Sequence, residues 1–224
     1  MSPSRLVEGI ERIGPVFSQL YGQTECYPVS VLRKADHAPR TPELFLSCGF
    51  PIAACQVKIL DNDDQEVATG EAGEICVRAS HVMAEYWKRP DAAAETLKSG
   101  WLHTGDIARV DERGYMFILD RKKDMIVSGG FNIFPREVED VLTQHADVAM
   151  CAVVGVPDEK WGEAVTAVVR LVPGSELTLE ALRGFAGEKL ARYKLPLRLH
   201  FVDEMPRNPA GKVLKYQLRE LLNA

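Results

Sequence analysis

Apolar and polar positions alternate in two different textures along this chain. From Phe17 to about Leu119 the apolar residues come in short runs broken by turn signals, which predicts short strands. Gln56–Leu60 alternates and runs into Asp61-Asn62-Asp63-Asp64, and Glu74–Arg78 is bracketed by Gly70 and Gly73. An alanine-rich stretch after Pro90, residues 91–97, predicts a brief helix ending near Gly100. Ile107–Val110 and Tyr115–Leu119 flank Asp111-Glu112-Arg113-Gly114, a hairpin with glycine at its turn. This half is mostly β.

After Asp120 the period changes. Arg121–Asp124 is a tight charge cluster, and Pro135 opens a helix at its first turn with Glu137 and Glu139 behind it. Val138, Val141, Leu142 and His145 keep one face of that helix together. Val148–Val156 and Ala164–Val172 are continuous apolar runs that predict buried strands. Thr178 is placed to cap a second amphipathic helix reaching Leu190, with Leu179, Leu182, Ala186 and Leu190 on one side. Leu199–Val202 predicts a short strand and Val213–Leu222 a terminal helix. The order strand–helix–strand–strand–helix–strand makes a compact α+β unit, and the boundary between the two textures falls at Asp120–Lys123.

Composition narrows this picture only slightly. With 224 residues, 46% hydrophobic and 26% charged, the chain can bury one large core or two small ones. A net charge of −5, from 27 basic and 32 acidic residues, speaks against a nucleic-acid binder or a membrane-surface binder. No apolar run is long enough to span a bilayer, and the expected location is cytoplasmic. The five cysteines show no CxxC spacing and the five histidines no HExxH, which argues against zinc or redox chemistry.

Four short segments carry candidate chemistry. In Tyr21-Gly22-Gln23-Thr24-Glu25, expected on a strand-end loop, an aromatic face suits a purine, a hydroxyl suits a phosphate oxygen and a carboxylate suits Mg²⁺. A tight turn with a buried tyrosine reads equally well. In Trp101-Leu102-His103-Thr104-Gly105-Asp106 the carboxylate can accept from paired ribose hydroxyls, or simply cap a turn before Ile107. In the run from Asp120 to Glu139, Arg121 offers a planar cationic fork, and Ser128-Gly129-Gly130 lets a backbone or slender ligand approach. The two glycines alone also suit a hairpin. In Asn208-Pro209-Ala210-Gly211-Lys212 an exposed lysine can swing toward an anion, or stay solvated; Val213 after it rules out a Walker phosphate loop.

Taken in order, the four segments resemble the adenylate-forming superfamily: acyl-CoA synthetases, luciferases and the adenylation domains of peptide synthetases. The likeness runs over essentially the whole chain. It implies a mixed fold, α/β and α+β. Residues 1–120 would be the β-rich C-terminal part of the large AMP-binding domain, and residues 121–224 the small mobile C-terminal domain.

The resemblance implies an ATP-dependent acyl-CoA ligase that forms acyl-AMP and then a CoA thioester, acting on a fatty or other hydrophobic carboxylate. Its ligands would be ATP or AMP, Mg²⁺ and coenzyme A. Tyr21 would lie against adenine with Gly22 beside it, while Thr24 and Glu25 serve phosphate and Mg²⁺. Asp106 and Arg121 would hold the ribose, and Lys212 would stabilise charge at the α-phosphorus. Lys123 would be the hinge, and Ser128, Gly129 and Gly130 would line the route of the pantetheine arm. The sequence departs from the family pattern at Phe50, Ala54, Ala79, Ser80 and Glu85, which bears on substrate and interdomain contacts. The family's Ser/Thr/Gly-rich phosphate loop has no counterpart before Tyr21, so the expectation is that this chain alone is inactive. A non-catalytic nucleotide- or CoA-binding fragment that complements a partner, and a fatty acyl-AMP ligase, are the alternatives.

Overall fold

A computed structural model describes residues 3–38, 41–209 and 211–223. The chain separates into two compact units, Met1–Lys122 and Lys123–Ala224.

The first unit begins with helix α1 (Pro3–Ile13), followed by the hairpin β1 (Gln19–Gln23) and β2 (Cys26–Leu32). The short β3 (Phe50–Pro51) pairs with β2 to close a three-stranded antiparallel sheet. A second, five-stranded sheet is built from β4 (Cys55–Leu60), β5 (Gly73–Ala79), β6 (Leu97–Lys98), β7 (Trp101–Val110) and β8 (Met116–Arg121). Its order is β4-β5-β7, with β6 and β8 both pairing β7. Helix α2 (Pro90–Thr96) has proline in its first turn, where the missing N–H has no helical partner to lose. Val29, Ile59, Ile75, Val77 and Leu102 form the core, and Leu32, Leu44, Tyr115 and Phe117 a smaller cluster.

In the second unit β9 (Ile126–Ser128) and β10 (Phe131–Ile133) form a hairpin, followed by α3 (Pro135–Leu142), β11 (Val148–Asp158), β12 (Gly162–Leu171), α4 (Leu179–Gly187), β13 (Arg198–Phe201) and α5 (Lys215–Asn223). The sheet order is β10-β9-β12-β11, and β13 adds parallel to β12. The apolar runs of β11 and β12 are buried on both faces. Val153, Val165 and Ala167 join the core under α3 and α4, while Ala152, Val154 and Val168 join Leu218 of α5. That explains why these strands show no polar alternation. The Thr178 hydroxyl caps α4 by accepting from Ala181 N–H at 3.2 Å. The helix ends at Gly187 rather than Leu190, and α5 starts at Lys215 because Val213 is engaged in a bridge with Arg207.

Among the described residues no helix is long and apolar enough to cross a membrane.

Candidate functional site

The first segment folds as a strand and turn rather than a loop. Tyr21, Gly22 and Gln23 belong to β1, and Thr24-Glu25 form the two-residue turn into β2, with Gln23 opposite Cys26. The pairing slips between Tyr21 and Gln23. A Cβ at Gly22 would stand 2.7 Å from the Tyr27 ring and 2.9 Å from the Cys26 carbonyl, so only glycine fits there. Thr24 is exposed at the turn. Glu25 is half-buried, and its Oε1 accepts from Tyr86 Oη at 2.6 Å.

The Asp106 segment also differs from the turn expected before Ile107. Residues 101–110 are one continuous strand, and Asp106 lies inside it. Opposite it, Glu74 pairs with Ile107 and Cys76 with His103, so Ile75 alone faces three residues of β7. This is a β-bulge, made possible by Gly105 at φ +70°. Thr104 Oγ1 donates to Ile75 O at 2.8 Å and accepts from Asp106 N–H at 3.1 Å, locking the bulge.

The bulge holds a buried carboxylate between a phenol and a guanidinium. Tyr21 Oη donates to Asp106 Oδ2 at 2.7 Å, and Arg121 Nε lies 2.8 Å from Asp106 Oδ1. Asp106 is 5% exposed. Arg121 reaches it because β8 pairs with β7 in a register that sets Arg121 opposite Asp106. Burial, and then the charge of Asp106, push the Tyr21 phenol far above its usual range, so it stays a proton donor to this carboxylate.

Beside this pair is a cavity of about 420 Å³ lined by Glu25, Tyr86, His103, Gly105, Arg121 and Lys122, among others. Its wall is organised by Glu74, which the sequence reading did not single out. Glu74 accepts from Gly105 N–H at 2.8 Å, from Lys122 Nζ at 3.0 Å and pairs with His103 Nδ1 at 3.1 Å. Burial by itself would raise this carboxyl, but the bonds from His103, Lys122 and Gly105 outweigh it and hold the group below its usual range. Tyr86 was likewise missed as a partner of Glu25. Both are invisible to local motifs because their partners lie 31 and 61 positions away.

In the second unit, Ser128-Gly129-Gly130 fold as the β9–β10 turn, with Ser128 opposite Phe131. Both glycines have positive φ, and Gly129 N–H donates to Trp161 O at 2.8 Å. Ser128 lines a hollow of about 450 Å³ with Phe131, Trp161, Arg183, Arg192 and Tyr193. Lys123 is exposed in the 3₁₀ turn Lys122–Asp124. Lys212 is exposed on a tight turn, where its N–H donates to Asn208 Oδ1 at 2.9 Å; Ala210 of that segment lies outside the described residues.

Two known sequence families match parts of this chain. The family described as AMP-binding enzyme matches residues 1–87, and the AMP-binding enzyme C-terminal domain matches residues 137–212. The chain belongs to the adenylate-forming superfamily. It is 44% identical, over 98% of its length, to a medium/long-chain-fatty-acid–CoA ligase of Mycobacterium tuberculosis, of which it covers 39%. It is 43% identical, over 98% of its length, to the fatty acid–[acyl-carrier-protein] ligase ScoC of Streptomyces coeruleorubidus, of which it covers 42%. Among solved structures, o-succinylbenzoate coenzyme A synthetase of Bacillus subtilis in complex with ATP and magnesium superimposes with a TM-score of 0.81 at 36% identity, covering 97% of this chain and 44% of that one. The chain thus spans about two fifths of the length of the curated relatives it matches.

Proposed function

We propose that this chain is part of an ATP-dependent ligase that activates a fatty or other hydrophobic carboxylic acid as its adenylate and transfers the acyl group to a pantetheine thiol. The observation that carries this reading is the Asp106 carboxylate, buried, clasped by Tyr21 and Arg121, and set beside a polar cavity. A carboxylate has roughly four acceptor positions, enough for these donors and a ribose hydroxyl. Tyr21 would present its ring toward the base. Thr24 would donate to phosphate oxygens.

Glu25 suits Mg²⁺: it is a hard oxygen donor on the cavity wall, oriented by the hydrogen bond that its Oε1 accepts from Tyr86. When bound, the ion would neutralise charge on the phosphates. Lys212, exposed on its turn, would bring a compact positive charge to the acyl carboxylate as that group attacks the α-phosphorus and pyrophosphate departs. Lys123, at the start of the second unit, is the proposed hinge by which this lysine, and then the Ser128–Gly130 turn, are presented in turn.

The hollow beside Ser128 supports a pantetheine acceptor: its aromatic lining suits an apolar arm and its two guanidinium groups suit phosphates. The likeness to a CoA ligase and to a carrier-protein ligase is nearly equal, so the proposal names the shared thiol chemistry and leaves both acceptors as outcomes. Calorimetry with AMP and assay of acid-dependent ATP–pyrophosphate exchange test the reading on the purified chain. AMP is expected to bind. Exchange is not expected, since no Ser/Thr/Gly-rich phosphate loop stands in these 224 residues. Absence of AMP binding at millimolar concentration overturns the nucleotide site; robust exchange overturns the inactivity.

A further inference from the structure

Cys26 opens β2, Cys55 opens β4, and His81 lies on the loop after β5. Although these residues are distant in sequence, their three potential ligand atoms all lie within 4.8 Å of one another. Cys55 Sγ is 3.7 Å from His81 Nε2. The Pro28 carbonyl oxygen joins them, 3.6 Å from Cys55 Sγ and 3.1 Å from His81 Nε2. Tetrahedral zinc with ordinary Zn–S and Zn–N bonds has S···N edges of roughly 3.6 Å and N···O edges of roughly 3.4 Å. The Cys55–His81 and His81–Pro28 separations sit within a few tenths of an ångström of those edges. Both thiols are buried, whereas His81 is exposed and gives an ion a way in.

We propose that Cys26, Cys55 and His81, with the Pro28 carbonyl as fourth donor, form a site for one zinc-type divalent ion. Two soft sulfurs and an imidazole favour such an ion over hard Mg²⁺. Binding forms two metal–thiolate bonds and releases two thiol protons to solvent, with no change of oxidation state. The other sulfur–imidazole cluster, Glu74, Cys76 and His103, is a poorer candidate: Lys122 Nζ already lies 3.0 Å from its carboxylate and opposes a cation. The ion would staple β2, β4 and the His81 loop, and Met83 on that loop donates from its N–H to Glu25 O at 2.7 Å. Its role is to brace the backbone next to the nucleotide site.

The test is a Co²⁺ titration of the reduced, metal-free 224-residue chain, with cobalt standing in spectroscopically for zinc. One equivalent should bind with a thiolate-to-cobalt charge-transfer band and the strong visible bands of a tetrahedral site, and Zn²⁺ should displace it. Cys26→Ser/Cys55→Ser should abolish the band, and Cys76→Ser should leave it unchanged. Loss of an outer-shell partner alone costs about 10–100-fold in affinity, so His81→Ala, at an exposed position that folding tolerates, should weaken binding by more than about tenfold. A missing charge-transfer band, or a band that survives in the double variant, overturns the proposal.

Discussion

Two carboxylates in the first unit are held by different sets of donors. Asp106 is fixed by a phenol and a guanidinium, and Glu74 by a lysine, a histidine and a backbone N–H. Hydrogen bonds to charged groups contribute about 1.5–3 kcal/mol, so Asp106→Asn should weaken AMP binding by roughly 10–150-fold, read by calorimetry. Unchanged affinity would remove Asp106 from the site. Glu74 has its carboxyl held below the usual range in the folded chain. A depressed value contributes stability that is present above the unfolded pKa, near 4.5, and is lost as pH falls through the folded value. The thermal midpoint of the native chain should therefore fall on acidification below about pH 4.5, and that of Glu74→Gln should fall less. Parallel acid profiles would contradict this. The four candidate segments are readable from sequence because each is a contiguous stretch. Glu74 and Tyr86 are not, since nothing near them in the chain indicates which partners the sheet brings to them.

Turns and caps set where each strand and helix begins. The β9–β10 turn needs positive φ at both Gly129 and Gly130, but only Gly129 is also covered: a Cβ there would meet the Trp161 ring at 2.9 Å, while Gly130 has open space. Gly129→Ala should then cost more than Gly130→Ala, the latter carrying about 1 kcal/mol of backbone strain alone. Chemical denaturation of the two variants checks the order, and equal losses would show that Trp161 simply moves aside. Thr178→Ala should cost about 1 kcal/mol through the lost N-cap of α4. Most elements were legible from hydrophobic period, since burial on one face of a helix or both faces of a strand leaves a direct trace in residue order. The Gly105 bulge was not. A glycine followed by aspartate reads as a turn, and it becomes a bulge only because β5 pairs with β7 on both sides of it, at His103 and at Ile107.

At the level of the whole chain, each unit carries its own core. The second has apolar clusters on both faces of its sheet. A hydrophobic core of its own is what independent folding requires, so residues 123–224 expressed alone should give a cooperative thermal transition and a dispersed amide spectrum. A non-cooperative, collapsed product would show that the unit depends on the first. The order of segments along the chain carried the family and the mixed fold, because each is written in contiguous stretches a dozen or so residues long. The clasp on Asp106, the Glu74 junction and the Cys26–Cys55–His81 cluster exist only once strands pair. Strand pairing joins residues tens of positions apart, and such partners are set by the packing of the whole core rather than by any local pattern.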